Sequence, residues 1–161
     1  FKQKTAYEML RSLVGSEMCI RDRDIEARSD MLLASTMAGA AFNSGKLVAV
    51  HCLSEALGGP YDIHHGLANA ILLPHVMAFN ASAIADKYAR VARALGSDQS
   101  DGAEAVRRFM EPLQLPTLGQ LGVQEADLPR VAALAFGNCS DGRNPRPMTE
   151  EDMLRLLRQA L

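Results

Sequence analysis

Several features that would narrow function at once are scarce in this chain. Only three cysteines occur in 161 residues, Cys19, Cys52 and Cys139, an odd number, far apart in sequence and without a C-x-x-C pair. No disulfide framework and no thiolate zinc site is therefore expected, and the three read as reduced thiols. An excess of charge is missing too. Seventeen basic and 19 acidic side chains leave a formal net charge of −2, which gives no electrostatic footprint for nucleic acid. No apolar run approaches the roughly 18 residues needed to span a bilayer, and the first residues carry no signal pattern. The expectation is a soluble, cytoplasmic protein with neither a nucleic-acid nor a membrane partner. With 48% apolar residues, the chain is long enough for one ordinary domain with a sizeable core.

Alternating apolar and polar runs, the mark of strands, are also absent, as are internal repeats. Helical patterns fill the chain instead. DIEARSDMLLASTMAGAAFNSG is rich in Ala, Met and Leu, with acids at its start and Asn43 and Gly45 near its end. KLVAVHCLSEAL reads as a buried helix ended by Gly58, Gly59 and Pro60. The next helix starts near His65 and runs through GLANAILLPHVMAFN, where Pro74 predicts a kink or an interruption. Residues 84, 88, 91, 92 and 95 are apolar at helical spacing, with Gly96 as the stop. AEAVRRFMEPL and DLPRVAALAFGN read as two short helices around the turn-rich QLPTLGQLGV. Thr149 and Asp152 form a T-x-x-D start for a last helix with Met153, Leu154, Leu157 and Leu161 on one face. The fold class expected is all-α, a helical bundle.

Three of the four histidines crowd into VHCLSEALGGPYDIHHGLAN, residues 50 to 69. In one continuous helix His51 and His65 would stand roughly 21 Å apart and could share no ligand. A break at Gly58-Gly59-Pro60 lets the chain fold back and bring the two rings together. Neutral imidazole suits zinc and iron(II), with bonds near 2.1 Å. Two ligands are too few for a catalytic site, which normally takes three from the protein, and the spacing alone also fits a core histidine bonded to a carbonyl plus a helix-start histidine.

The first stretch, FKQKTAYEMLRSLVGSEMCIRDR, follows no sustained period. Its LVGSEMCIRD resembles one reading frame of a transposase adaptor used in preparing sequencing libraries. Residues 13 to 22 are accordingly read as non-biological and residues 1 to 23 as a non-native leader, with a natural upstream part lost near Asp24.

From about Asp24 to Leu161 the chain resembles the C-terminal half of the iron-containing (group III) alcohol dehydrogenases. The residues that carry this are AGAAFNSG at 38 to 45, VHCLSEALGGPYDIHHGLANAILLPHVMAFN at 50 to 80 and GNCSDGRNPRPMTEED at 137 to 152. The resemblance implies that residues 24 to 161 form an all-helical metal-binding domain. In the family an Asp and three His hold a divalent ion, usually iron(II) and sometimes zinc, and the last two of those His match His51 and His65. The Asp, the first His and the nucleotide-binding domain would then lie upstream. Phe42 matches an aromatic position that lines the substrate pocket in relatives, although a core phenylalanine is an equal reading. His75 matches a residue that is not a ligand.

Departures from the family pattern are also implied. Glu55 stands where many relatives have a second histidine close to the metal, so it is a candidate proton relay, with a solvated glutamate as the alternative. His64 replaces a usual proline and reads as a surface histidine. Lys46 and Val48 fall where glycines are common. For the intact parent the resemblance implies hydride transfer between NAD or NADP and a small alcohol, aldehyde or ketone, with the ion as Lewis acid and room for a homo-oligomer. The isolated chain is expected to be inactive. Left open beside this are a helical metal-binding module without redox activity, a purely structural domain, and the maleylacetate reductase or glycerol dehydrogenase branch.

Overall fold

A computed structural model describes residues 25–44, 48–97, 100–139 and 144–161, with the side chains of residues 42–44 excepted. The adaptor-like stretch at 13 to 22, Cys19 and Lys46 lie outside the described residues. Among the described residues the chain forms seven α-helices and two short 3-10 turns, with no strand, as the sequence predicts. The helices are α1 (Ile25–Ser44), α2 (Ala49–Tyr61), α3 (His65–Asn80), α4 (Ala85–Ala94), α5 (Gly102–Met110), α6 (Leu128–Asn138) and α7 (Glu150–Ala160).

The main core lies between α2, α3, α6 and α7, where Leu53, Leu57, Leu72, Val131 and Leu157 are fully buried. Each such side chain contributes on the order of 2 kcal/mol by leaving water. Leu118 and Val123, from the turn-rich segment before α6, close the same cluster. A smaller cluster gathers Met77, Ala103 and Val106, joined by Tyr88 and Leu95, so α3 belongs to both cores. This double burial fixes α3, and α3 begins at His65.

Local signals explain the ends of several helices. Thr149 Oγ1 accepts the Asp152 N–H at 3.2 Å and Asp152 Oδ2 accepts the Thr149 N–H at 3.0 Å, the reciprocal cap that the T-x-x-D pattern predicts. The buried face of α7 is rotated from the one expected. It comprises Met153, Leu156, Leu157 and Ala160, while Leu154 and Leu161 are only half-buried, because α7 packs against both α6 and α3. Gly96 follows α4 with φ 74°, a left-handed value suited to glycine, and Asp101 caps α5 by accepting two backbone N–H groups.

Two expectations about breaks need correction. The helix carrying His51 does not stop at Gly58-Gly59-Pro60 but passes through them to Tyr61. A Cβ at Gly59 would meet nothing within 4 Å and one at Gly58 only the Ile63 carbonyl at 3.9 Å, so neither glycine is demanded by space or by a positive φ. Pro60 falls in the last turn, where it removes the donor for one carbonyl four residues earlier but leaves only Tyr61 of the helix beyond it. The chain turns instead at Asp62, which takes the left-handed conformation (φ 52°, ψ 30°) while its N–H donates to Gly58 O at 3.0 Å. Asp is among the few side chains that accept this conformation readily. Of the kink or interruption expected at Pro74, the interruption does not occur, since α3 continues to Asn80.

Candidate metal centre

The reversal at Asp62 sets the geometry of the site. Residues 62–64 run back along α2, with the Ile63 carbonyl beside Gly58 and the Ile63 side chain buried. After the turn at Asp62, Ile63 and His64 bring the chain back to the level of Ser54, whose hydroxyl lies 3.2 Å from His65 Nδ1. His64 then caps α3, its Nδ1 accepting the Gly66 N–H at 3.2 Å, and remains exposed. The surface reading of His64 therefore holds, with capping added to it.

His65, the first residue of α3, thereby meets His51 from the first turn of α2. Their ring centroids are 5.5 Å apart and the planes are inclined at 45°. Two imidazoles that bind one ion through bonds near 2.1 Å have ring centres roughly 5–6 Å apart, so the pair has the separation that a shared cation requires. His51 is half-buried, and its Nδ1 is fully buried with no hydrogen-bond partner. An ordinary core histidine bonds both ring nitrogens to the protein or to water, since a buried unpaired nitrogen costs about 1–3 kcal/mol. The carbonyl-bonded alternative is thus not realised at that nitrogen. Burial, reinforced by His65, pushes the His51 imidazole below its usual pKa, and Glu55 opposes this more weakly. The neutral, ligand-competent form is favoured as a result.

Ser54 was not singled out by the sequence, yet it joins the two histidines. Its side chain is 1% exposed, and its hydroxyl donates to the His51 carbonyl at 3.0 Å. With its one proton so used, the Ser54 oxygen can only accept at its 3.2 Å contact with His65 Nδ1. His65 then carries its proton on Nδ1 and presents a lone pair at Nε2, the kind of outer contact that orients metal-binding histidines. The only signal for Ser54 was a hydroxyl one turn after His51 on an otherwise apolar stretch.

The other candidates fall into place unevenly. Glu55 is exposed on α2, near enough for its charge to act on His51. Phe42 lies in α1, and its side chain is outside the described residues. His75 is remote from the pair, lining a cavity of about 310 Å³ with Pro74, Arg107 and Met110, and burial together with Arg107 lowers its pKa. Cys52, next to His51, is pushed up to about 12 by burial, by the hydrogen bond to Cys139 and by nearby charge, so it is a neutral thiol. Among the described residues no group of three or more His, Cys, Asp or Glu converges to hold an ion. Val48 caps α2 in extended conformation without a side-chain hydrogen bond.

The segment after α6 braces the opposite end of α3. Asn144 and Asn80 exchange amide hydrogen bonds at 2.7 and 3.2 Å, while Arg146 donates to Phe79 O at 3.2 Å and stacks 4.1 Å above the Phe79 ring. These contacts tie N-P-R, within the third matching stretch, to the end of the helix that begins at His65.

A family model described as Fe-containing alcohol dehydrogenase family, C-terminal, matches residues 6–161. The chain belongs to this family. As a member it is 39% identical over 147 residues to the 1,3-propanediol dehydrogenase of Citrobacter freundii, covering 85% of this chain and 38% of that protein. The NAD-dependent methanol dehydrogenase of Bacillus methanolicus is 37% identical over 148 residues, with 86% and 39% covered. A crystal structure of a 1,3-propanediol oxidoreductase superposes with TM-score 0.81 at 35% identity, over 97% of this chain and 44% of that one. The chain therefore spans about two fifths of the length of the relatives it matches. No helix among the described residues is long and apolar enough to cross a membrane.

Proposed function

We propose that this member of the family supplies the helical, metal-holding side of an active site for hydride transfer between NAD or NADP and a small alcohol, aldehyde or ketone. The functional unit is residues 24–161, working in the cytoplasm. His51 and His65 would hold one divalent ion, iron(II) or zinc. The observation that carries this reading is the 5.5 Å approach of the two rings, one of them with a buried unpartnered nitrogen. The small substrates named for the propanediol, methanol and lactaldehyde relatives support the substrate class.

The ion, when bound, would act as a Lewis acid on the substrate oxygen. The chain's own residues do the rest of the local work. Ser54 holds His65 in one tautomer and one orientation. Burial keeps His51 neutral, so no proton competes for its lone pair. Glu55, exposed one turn from His51, would carry a proton between the site and water. The remaining ligands and the cofactor site belong to a nucleotide-binding part of the parent.

A chimera tests this reading. Residues 25–161 replace the corresponding segment of the Citrobacter freundii 1,3-propanediol dehydrogenase. NAD-dependent oxidation of a small diol that disappears on chelation and returns with iron(II) or zinc is expected. A folded chimera that binds NAD but shows no metal-dependent turnover with alcohols, aldehydes or maleylacetate would overturn the proposal.

A further inference from the structure

Cys52 and Cys139 stand 87 residues apart in sequence, yet their sulfurs lie 2.7 Å from each other. Heavy atoms in van der Waals contact ordinarily stay about 3.5 Å or more apart, whereas a covalent S–S bond is about 2.05 Å. Neither is joined in a disulfide in this structure, and the pair stands less than about 1 Å short of the bonded distance. Sequence spacing gave no hint of this. The approach follows from the packing of α2 on α6, which sets Cys52 on the buried face of one helix against the residue that closes the other. Cys139 is held in place by its backbone N–H, which donates to Ala135 O and Phe136 O, both at 3.1 Å.

The two sulfurs differ in access. Cys52 is buried, while Cys139 is half-buried and opens on a cavity of about 130 Å³ lined also by Phe136, Asn144, Pro147, Met148 and Met153. A water molecule takes about 30 Å³ of liquid, so a molecule the size of hydrogen peroxide fits there.

We propose that Cys52 and Cys139 form an oxidation site at which a small peroxide closes a disulfide across α2 and α6. The Cys139 sulfur attacks a peroxide oxygen; the O–O bond breaks, a sulfenic acid forms and one water leaves. The Cys52 sulfur then attacks the Cys139 sulfur; the S–O bond breaks, the S–S bond forms and a second water leaves with the remaining thiol proton. Two thiols are oxidised by two electrons and one peroxide is reduced to two waters. A thiol reductant reverses the change. The cross-link ties the residue after His51 to the end of α6, and it does so without requiring any role for His51 as a ligand.

The test uses the reduced 161-residue chain treated with a few equivalents of hydrogen peroxide. A mass loss of about 2 Da is expected, with a Cys52–Cys139 link in a non-reducing peptide map, both reversed by dithiothreitol. Because the bond closes a long loop onto sulfurs already in contact, Tm is expected to rise by about 5–15 °C. Cys19→Ser should leave all of this unchanged and Cys139→Ser should abolish the mass loss. A map showing sulfinic or sulfonic acid at Cys139 beside an unmodified Cys52, a link through Cys19 instead, or a linked chain whose Tm is equal to or below that of the reduced chain would overturn the proposal.

Discussion

Replacing His51 or His65 with alanine in the propanediol dehydrogenase chimera is expected to lower kcat/KM by about 1000-fold or more. A bound divalent ion contributes several kcal/mol to stabilising charge on a substrate oxygen, and about 4 kcal/mol corresponds to roughly 1000-fold in rate. Each substitution removes one of the two imidazoles that face each other at 5.5 Å. Glu55→Gln should act differently. If Glu55 carries a proton, its loss costs about 10²-fold and alters the pH profile, while the metal content stays the same. His64→Ala removes a helix cap and is expected to cost about 1 kcal/mol of stability with little effect on turnover. Steady-state kinetics with metal analysis on each variant checks all of these. Full activity in His51→Ala would sink the ligand assignment.

The isolated 161-residue chain, by contrast, is expected to show no nicotinamide-dependent turnover at all, with or without added iron(II) or zinc. Catalytic sites of this kind normally take three ligands from the protein. His51 and His65 supply two, and among the described residues no third His, Cys, Asp or Glu converges on them. The matched relatives are also more than twice as long, with 38% to 44% of their length covered. NADH fluorescence with 1,3-propanediol, methanol or lactaldehyde as substrate decides the matter. Turnover by the wild-type chain that is lost in His51→Ala would show that two fifths of the family's length suffices.

The fold was legible wherever local chemistry decides it. Thr149 and Asp152 close their cap within four residues, and the 3.6-residue rhythm marks most of the segments as helical. The reversal between the histidines was legible in kind but not in place. Gly58, Gly59 and Pro60 looked like the break because they weaken a helix, yet nothing in the packing needed them to end it, and Asp62 turned the chain four residues later than Gly58. What the sequence could not show depends on tertiary contact. Ser54 gains its meaning only when His65 arrives beside it. Cys52 and Cys139 look unrelated until α2 packs on α6. Leu156 joins the core because α7 meets two helices rather than one. His51 and His65 were singled out through the motif around them, since fourteen residues of separation alone decide nothing.

The central claim is that these two imidazoles serve one cation, and ring-nitrogen NMR of the reduced chain during a zinc titration tests it most directly. The ring signals of His51 and His65 should shift together and saturate at one zinc per chain, with Nε2 of His65 as its bound nitrogen and His75 unmoved. Shifts of the two rings at different zinc ratios, or of one ring without the other, would contradict it.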